Sequence, residues 1–303
     1  MDTVSRVFFA VAKDNLHTRK EIAAALGVSL VTVGKAVGLL TAAGILSSSE
    51  KCESDVGRRS NFIDVSSSAN ILMIDLSGRD LAYSYAPLGE SSANASYIAH
   101  VDSLDFADNF VLLINDIKKH LVETPTKIFV ALPGEVNGRR VKDALIRDYS
   151  GFDIVEMLDK RGLHVDILVS CANAVEVSES FRAGDVFISV SDAVWGTFGR
   201  GKIENWSNAL VDSRGELTYI EALRCSHNEE KLADYSLRFL REIDGILAPE
   251  RILLSSDRLS DGTMDLIQRN MPKIVPVVAN EMIFDGLMEL AMAKILKEIS
   301  NKR

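Results

Sequence analysis

Seven side chains in the first 65 residues have the type and spacing to bind an anionic polymer: Thr18, Arg19, Ser29, Thr32, Lys35, Arg58 and Arg59. Short hydroxyls can reach phosphate oxygens or base edges, and the arginine fork matches phosphate oxygens in pairs. Such groups act together only if local structure holds them on one surface. Val4, Val7, Phe8, Val11 and Ala12 recur at helical spacing and predict a helix over 3–14. Thr18-Arg19-Lys20-Glu21 has the form of a capping box, opening a second helix that turns Ile22, Ala23 and Leu26 inward. Gly27 suits the left-handed residue that ends it, and Ser29 can cap a third helix with Val33, Ala36, Val37 and Leu40 inside. Ser29, Leu30, Thr32 and Lys35 then face outward. This is the layout of a helix-turn-helix, whose third helix enters the major groove of double-stranded DNA. A strand starting at Gly44-Ile45-Leu46, a polar turn over Ser47–Asp55 and a strand over Asn61–Val65 form a wing. The wing sets Arg58 and Arg59 where phosphates or a minor groove would lie. The alternative is a small helical bundle for protein contacts. Arg6, Lys13, Lys20 and Lys51 read as solvated surface charges.

The whole chain has 303 residues, enough for about two domains, and a formal net charge of −9. That charge is unevenly spread. Residues 1–65 carry eight basic and seven acidic side chains, so the remainder holds about −10. An acidic body on a near-neutral head with clustered basic groups suits a protein that binds DNA through one end only. Cys52, Cys171 and Cys225 lie far apart, which argues against a disulfide framework or a zinc ribbon. The N-terminus reads as lacking a signal peptide, since its apolar run Val7–Ala12 is short and ends at Lys13-Asp14. No stretch reaches the roughly 18 apolar residues of a membrane span. The expectation is a cytoplasmic protein with no membrane, metal or cofactor association.

Beyond residue 65, buried-strand runs alternate with helical periodicity. Strands are predicted over Ile71–Leu76, Leu81–Pro87, Lys127–Leu132, Val165–Val169, Val186–Val190, Arg251–Leu254 and Ile274–Val278. Helices are predicted over Asp102–His120, Ile154–Lys160, Asn173–Arg182, Leu232–Leu247, Asp261–Asn270 and Asn280–Ser300. The alternation indicates an α/β class.

Several of these element ends resemble motifs of the ROK family of repressors, open reading frames and sugar kinases. Gly57-Arg58-Arg59, followed by a strand and then by Asp75-x-x-Gly78, resembles the family's junction between head and body. Ala131-Leu132-Pro133-Gly134-Glu135-Val136 resembles G-V-P-G-P-V, Leu168–Ala174 resembles V-E-N-D-A-N-A, and Leu247–Ile252 resembles L-x-P-E-x-I. The resemblance implies a winged helix-turn-helix over 1–65 followed by a two-lobed, actin-like (ribonuclease H-like) sugar-kinase-type domain over 66–303. The lobes would run roughly over 66–170 and 171–280, with the helix at 280–300 packing back.

The same resemblance locates departures from kinase chemistry. Phosphoryl transfer needs a carboxylate near the acceptor hydroxyl and glycine loops that bring backbone N–H groups to the phosphates. Cys171 stands where the family has its catalytic aspartate, and Ser170 precedes it. The first phosphate loop, D-x-G-G-T in the family's kinases, reads Asp75-Leu76-Ser77-Gly78-Arg79, so Asp75 and one glycine persist. The second, Ser191–Thr197, keeps only Gly196 and gains Trp195, while Asp192 would repel a nucleotide; Ser255-Ser256-Asp257 replaces the G-G-G of the adenosine motif. No catalytic residue is therefore assigned. Candidate cleft residues are Asp75, which could accept ligand hydrogen bonds or finish its strand, Gly134, which could contact a sugar or end a strand, and Asn173, which could contact a ligand or cap a helix. Trp195 and Trp206 could stack on a sugar or pack internally, and Cys171 reads as an inert buried thiol. The expected function is a DNA-binding regulator, a homodimer with a sugar-like effector as candidate ligand. The alternatives are a sugar kinase with an appended head and a protein-binding scaffold.

Overall fold

In a computed structural model, the described residues are 2–51, 60–78, 81–90, 96–99, 106–121, 123–138, 140–144, 153–191, 193–199, 202, 204–207, 209, 211, 217–226 and 228–301. Arg58, Arg59, Arg79 and Asp192 lie outside them.

The head is built from α1 (Thr3–Ala12), α2 (Arg19–Leu26), α3 (Leu30–Ala42) and the antiparallel pair β1 (Leu46–Lys51) and β2 (Ser60–Val65). Each helix starts for a local reason. The Asp2 carboxylate accepts the Ser5 N–H, Thr18 and Glu21 form the reciprocal capping box, and Ser29 Oγ accepts the Thr32 N–H. Gly27 ends α2 at φ 65°, in the left-handed region that favours glycine. The inner residues of α3 are Val33, Ala36, Val37 and Leu40, all buried. The α2 and α3 axes are bent by 116°, within the range of a helix-turn-helix. His17 ties the hairpin to this unit: its ring stacks on Phe62 at 4.2 Å, and its carbonyl accepts the Ile63 N–H at 2.7 Å.

The body has two mixed five-stranded sheets. The first comprises β3 (Asn70–Asp75), β4 (Leu81–Pro87), β5 (Ser96–Ala99), β6 (Lys127–Leu132) and β9 (Ile167–Ser170), in the order β5-β4-β3-β6-β9. β7 (Gly134–Asn137) and β8 (Arg140–Ala144) form a separate hairpin. β3, β6 and β9 are parallel. α4 (Phe106–His120) and α5 (Ile154–Asp159) cover one face, meeting Leu72, Ile74, Val130 and Leu132. α6 (Cys171–Val177) follows β9 directly. The second sheet comprises β10 (Asp185–Val190), β11 (Val194–Thr197), β12 (Glu204–Asn205), β13 (Arg251–Ser256) and β14 (Ile274–Pro276), in the order β12-β11-β10-β13-β14. Its outer face packs on α7 (Tyr219–Cys225), α8 (Glu229–Leu247) and α9 (Asp261–Asn270).

α10 (Ala279–Ser300) returns across the first sheet against β3, β6 and α6, and also reaches α1. One apolar core therefore runs from Val7, Phe8 and Val11 of the head through Met292 and Ile295 to Phe187 and Trp195 of the second lobe.

The structure revises several sequence-based expectations. The helix expected over Asn173–Arg182 is Cys171–Val177, because Ser170 at the strand end is its cap and leaves Asn173 within the first turn. The β7–β8 hairpin, β11 and α7 are too short to carry a clear hydrophobic period. Arg6 and Lys13 are not idle surface charges. The Arg6 guanidinium donates to the Leu26 carbonyl at 2.8 Å, completing the C-terminus of α2, and Lys13 pairs with Glu179 and Glu289 of the body.

Gly286 of α10 marks the tightest helix crossing. A Cβ there would lie 1.7 Å from the Ala174 carbonyl oxygen on α6. Gly286→Ala is expected to cost about 3 kcal/mol or more in urea unfolding. Gly245→Ala, exposed on α8 with nothing within 4 Å of the new Cβ, should instead gain about 0.5–1 kcal/mol.

Candidate nucleic-acid interface and interlobe cleft

On the head, the predicted residues divide into those that shape the surface and those that present it. Thr18 is half-buried and engaged with Glu21. Ser29 Oγ receives the Thr32 N–H at 3.1 Å and lies 2.8 Å from the Thr32 hydroxyl, so one hydrogen bond joins the two hydroxyls. Arg19 and Lys35 are exposed. Arg19 starts α2 but reaches toward α3, where a Cβ on Gly34 would lie 3.8 Å from its guanidinium. Val31, absent from the sequence-based set, is 68% exposed, and Leu30 is 56% exposed. The signal for Val31 was present: it lies opposite the apolar stripe on the helical wheel. The outward face of α3 is thus open. β1 and β2 stand beside it, and the hairpin tip with Arg58 and Arg59 is outside the described residues.

The second candidate site lies where parallel strands of both lobes end, the place where open α/β sheets bind ligands. A cavity of about 200 Å³ is lined by Asp75, Ser77 and Gly78 after β3, Ser189–Ser191 at the end of β10, Ser255–Asp257 at the end of β13, and Val278–Asn280 at the start of α10. Of the three candidate cleft residues, only Asp75 lines it. Gly134 is buried at the start of β7, and Asn173 is exposed on α6. Ser255 Oγ accepts the Ala279 N–H at 3.0 Å, fixing α10 to the second lobe.

Asp75 is buried, and its carboxylate accepts the Ser77 N–H at 2.8 Å. Loss of hydration pushes its carboxyl up to about 6, against the lowering effect of that hydrogen bond. Cys171 Sγ lies 4.0 Å from Asp75 Oδ1, so the two positions singled out in the sequence meet here. Burial first, and the neighbouring carboxylate second, push the thiol well above its ordinary value. A thiol held protonated is neither base nor nucleophile.

The glycine kept in the second loop has a packing role. A Cβ at Gly196 would lie 2.2 Å from the Phe187 carbonyl and 2.4 Å from the Trp206 ring. Trp195 is fully buried against Phe187, with ring centroids 5.2 Å apart. Neither tryptophan lines the cavity; Trp206 packs on Phe239. Among the described residues no basic side chain lines the cavity, so its walls offer hydroxyls, an amide and carboxylates. That lining suits a hydroxylated ligand.

Among the described residues, no single helix is long and apolar enough to cross a membrane. Neither a protein-family model nor a curated protein sequence matches the chain. Solved structures do. A ROK-family transcriptional regulator, described as a homologue of the E. coli MLC protein, is matched over 96% of this chain and 98% of its own, at 13% identity and TM-score 0.56. A Listeria monocytogenes protein described as a putative N-acetylmannosamine kinase is matched over 76% and 99%, at 16% identity and TM-score 0.55. The polyphosphate/ATP-glucomannokinase of Arthrobacter sp. strain KM is matched over 74% and 99%, at 14% identity and TM-score 0.57. The fold is thus a winged helix-turn-helix head on a two-lobed, actin-like sugar-kinase body.

The buried carboxyl makes folding pH-dependent. Because its folded value is raised, stability from the neutral form is present below about pH 4 and is lost as pH climbs through about 6. Asp75→Asn should flatten this fall, on the order of 3 kcal/mol, in urea midpoints measured from pH 4 to 7.

Proposed function

We propose that this chain is a cytoplasmic, DNA-binding transcription regulator of ROK type, whose kinase-like body is catalytically silent and serves as dimerisation unit and effector sensor. The carrying observation is the capped third helix with its outward face uncovered: Leu30 and Val31 are open to solvent. A helix-turn-helix with a wing at its side is shaped for a major groove and the adjacent backbone. Dimerisation would place two such heads on a palindromic site.

Three features favour silence over phosphoryl transfer. The thiol of Cys171 stands in place of a carboxylate and stays protonated. Gly196 is committed to Trp206. Ser255, Ser256 and Asp257 line the cavity where the resemblance places the glycines of the adenosine motif.

The route from cleft to head would be α10. Its first residues line the cavity, and its later turns hold the head. Glu289 pairs with Lys13 at 2.7 Å, Met292 packs beside Phe8 and Ala12 near Gly89, and Ser300 Oγ donates to the Asp2 carboxylate at 2.6 Å. Twenty-two helical residues span about 33 Å as one rigid rod. A small sugar-like effector that preferred one lobe arrangement would therefore shift the angle at which the heads are held.

Selection of genomic fragments by the full chain, followed by binding measured against salt, tests the reading. Arg58→Ala or Arg59→Ala should each reduce the salt slope by about one unit. A coupled ATP assay over a hexose panel should show no turnover. Turnover that Asp75→Ala abolishes would overturn the regulator reading in favour of a kinase with an appended head.

A further inference from the structure

We propose that α3 reads thymine methyl groups, so that the half-site facing it is rich in A·T pairs; this rests on the DNA-binding reading above. Val31, Lys35, Gly38 and Ala42 are all exposed and fall at i, i+4, i+7 and i+11, forming one outward line along the helix. Leu30 joins Val31 at the N-terminal end, the part of a recognition helix that meets base edges. Neither side chain can donate or accept a hydrogen bond. In the major groove the C5 methyl of thymine is the apolar group on offer.

The neighbouring hydroxyls of Ser29 and Thr32 are drawn toward each other and toward the start of the helix. Gly34 and Gly38 support the same contact. A Cβ at Gly38 would meet nothing within 4 Å, and one at Gly34 only the Arg19 guanidinium at 3.8 Å, so internal packing demands neither glycine. Each weakens the helix relative to alanine. Their smoothness instead lets the groove wall come close to the backbone. Charge fits as well. α3 has no acidic residue, and the exposed Arg19, near Gly34, adds positive charge beside it for phosphates.

The test uses the full chain with a duplex selected from random sequence. That duplex is then rebuilt with deoxyuridine for thymidine, which removes only the methyl. Binding should weaken about fourfold for each methyl that Leu30 or Val31 covers. Val31→Ser and Leu30→Ala, both at exposed positions, should each lower that penalty while leaving the salt slope unchanged. A selected duplex indifferent to uracil, or variants that both keep the full penalty, would overturn the proposal and leave DNA binding standing. Failure to bind any duplex in a salt-dependent way would overturn both.

Discussion

The architecture depends on one close contact, the crossing of α10 over α6 at Gly286. Backbone meets backbone there, with the Ala174 carbonyl occupying the space a side chain would need. That approach lets α10 lie flat across β3 and β6 and bury Phe284, Leu287, Ala291 and Ile295 along its length. Because the same helix continues to α1, the head is seated on apolar surface shared with both lobes rather than hung from a linker. Interiors this well packed have little room to deform locally.

The polar contacts at the head–body junction have a different character. Lys13 reaches two carboxylates, Glu179 just after α6 and Glu289 on α10, from a partly exposed position. Desolvation and the nearby Glu179 charge raise the carboxyl of Asp285 beside them, while Lys13 opposes that rise. Exposed pairs of this kind add little stability. Their value is in fixing orientation: they tie the end of α1 to α10 and to the segment that follows α6.

The cleft is walled by polar side chains at the strand ends of both lobes. Burial raises the Asp75 carboxyl to about 6 and holds the Cys171 thiol protonated, so at neutral pH the carboxylate is the charged member of the pair. The indoles of Trp195 and Trp206 pack inside the second lobe, and serines line much of the cavity. The head reverses this pattern. Its helix spends hydroxyls on capping and leaves apolar and glycine positions facing out.

Much of this was legible in the sequence for local reasons. The capping box at Thr18 and Glu21, the left-handed Gly27, the Ser29 cap and the inner stripe of α3 are short-range features, settled by neighbours within four residues. The parallel strands read as uninterrupted apolar runs because both their faces are covered. The positions of Asp75 and Cys171 were picked out by their motifs. Other features depend on residues far apart in the chain. The clamp of His17 on Phe62, the ties from Lys13 to Glu179 and Glu289, and the committed space at Gly196 and Gly286 carry no local signature. Nor does the meeting of Asp75 with Cys171, 96 residues later, whose raised ionisation comes from shared burial. In the head, sequence determined where each helix begins and which face it hides. Only tertiary packing decided which side chains lost their water, and hence which groups remained available for recognition.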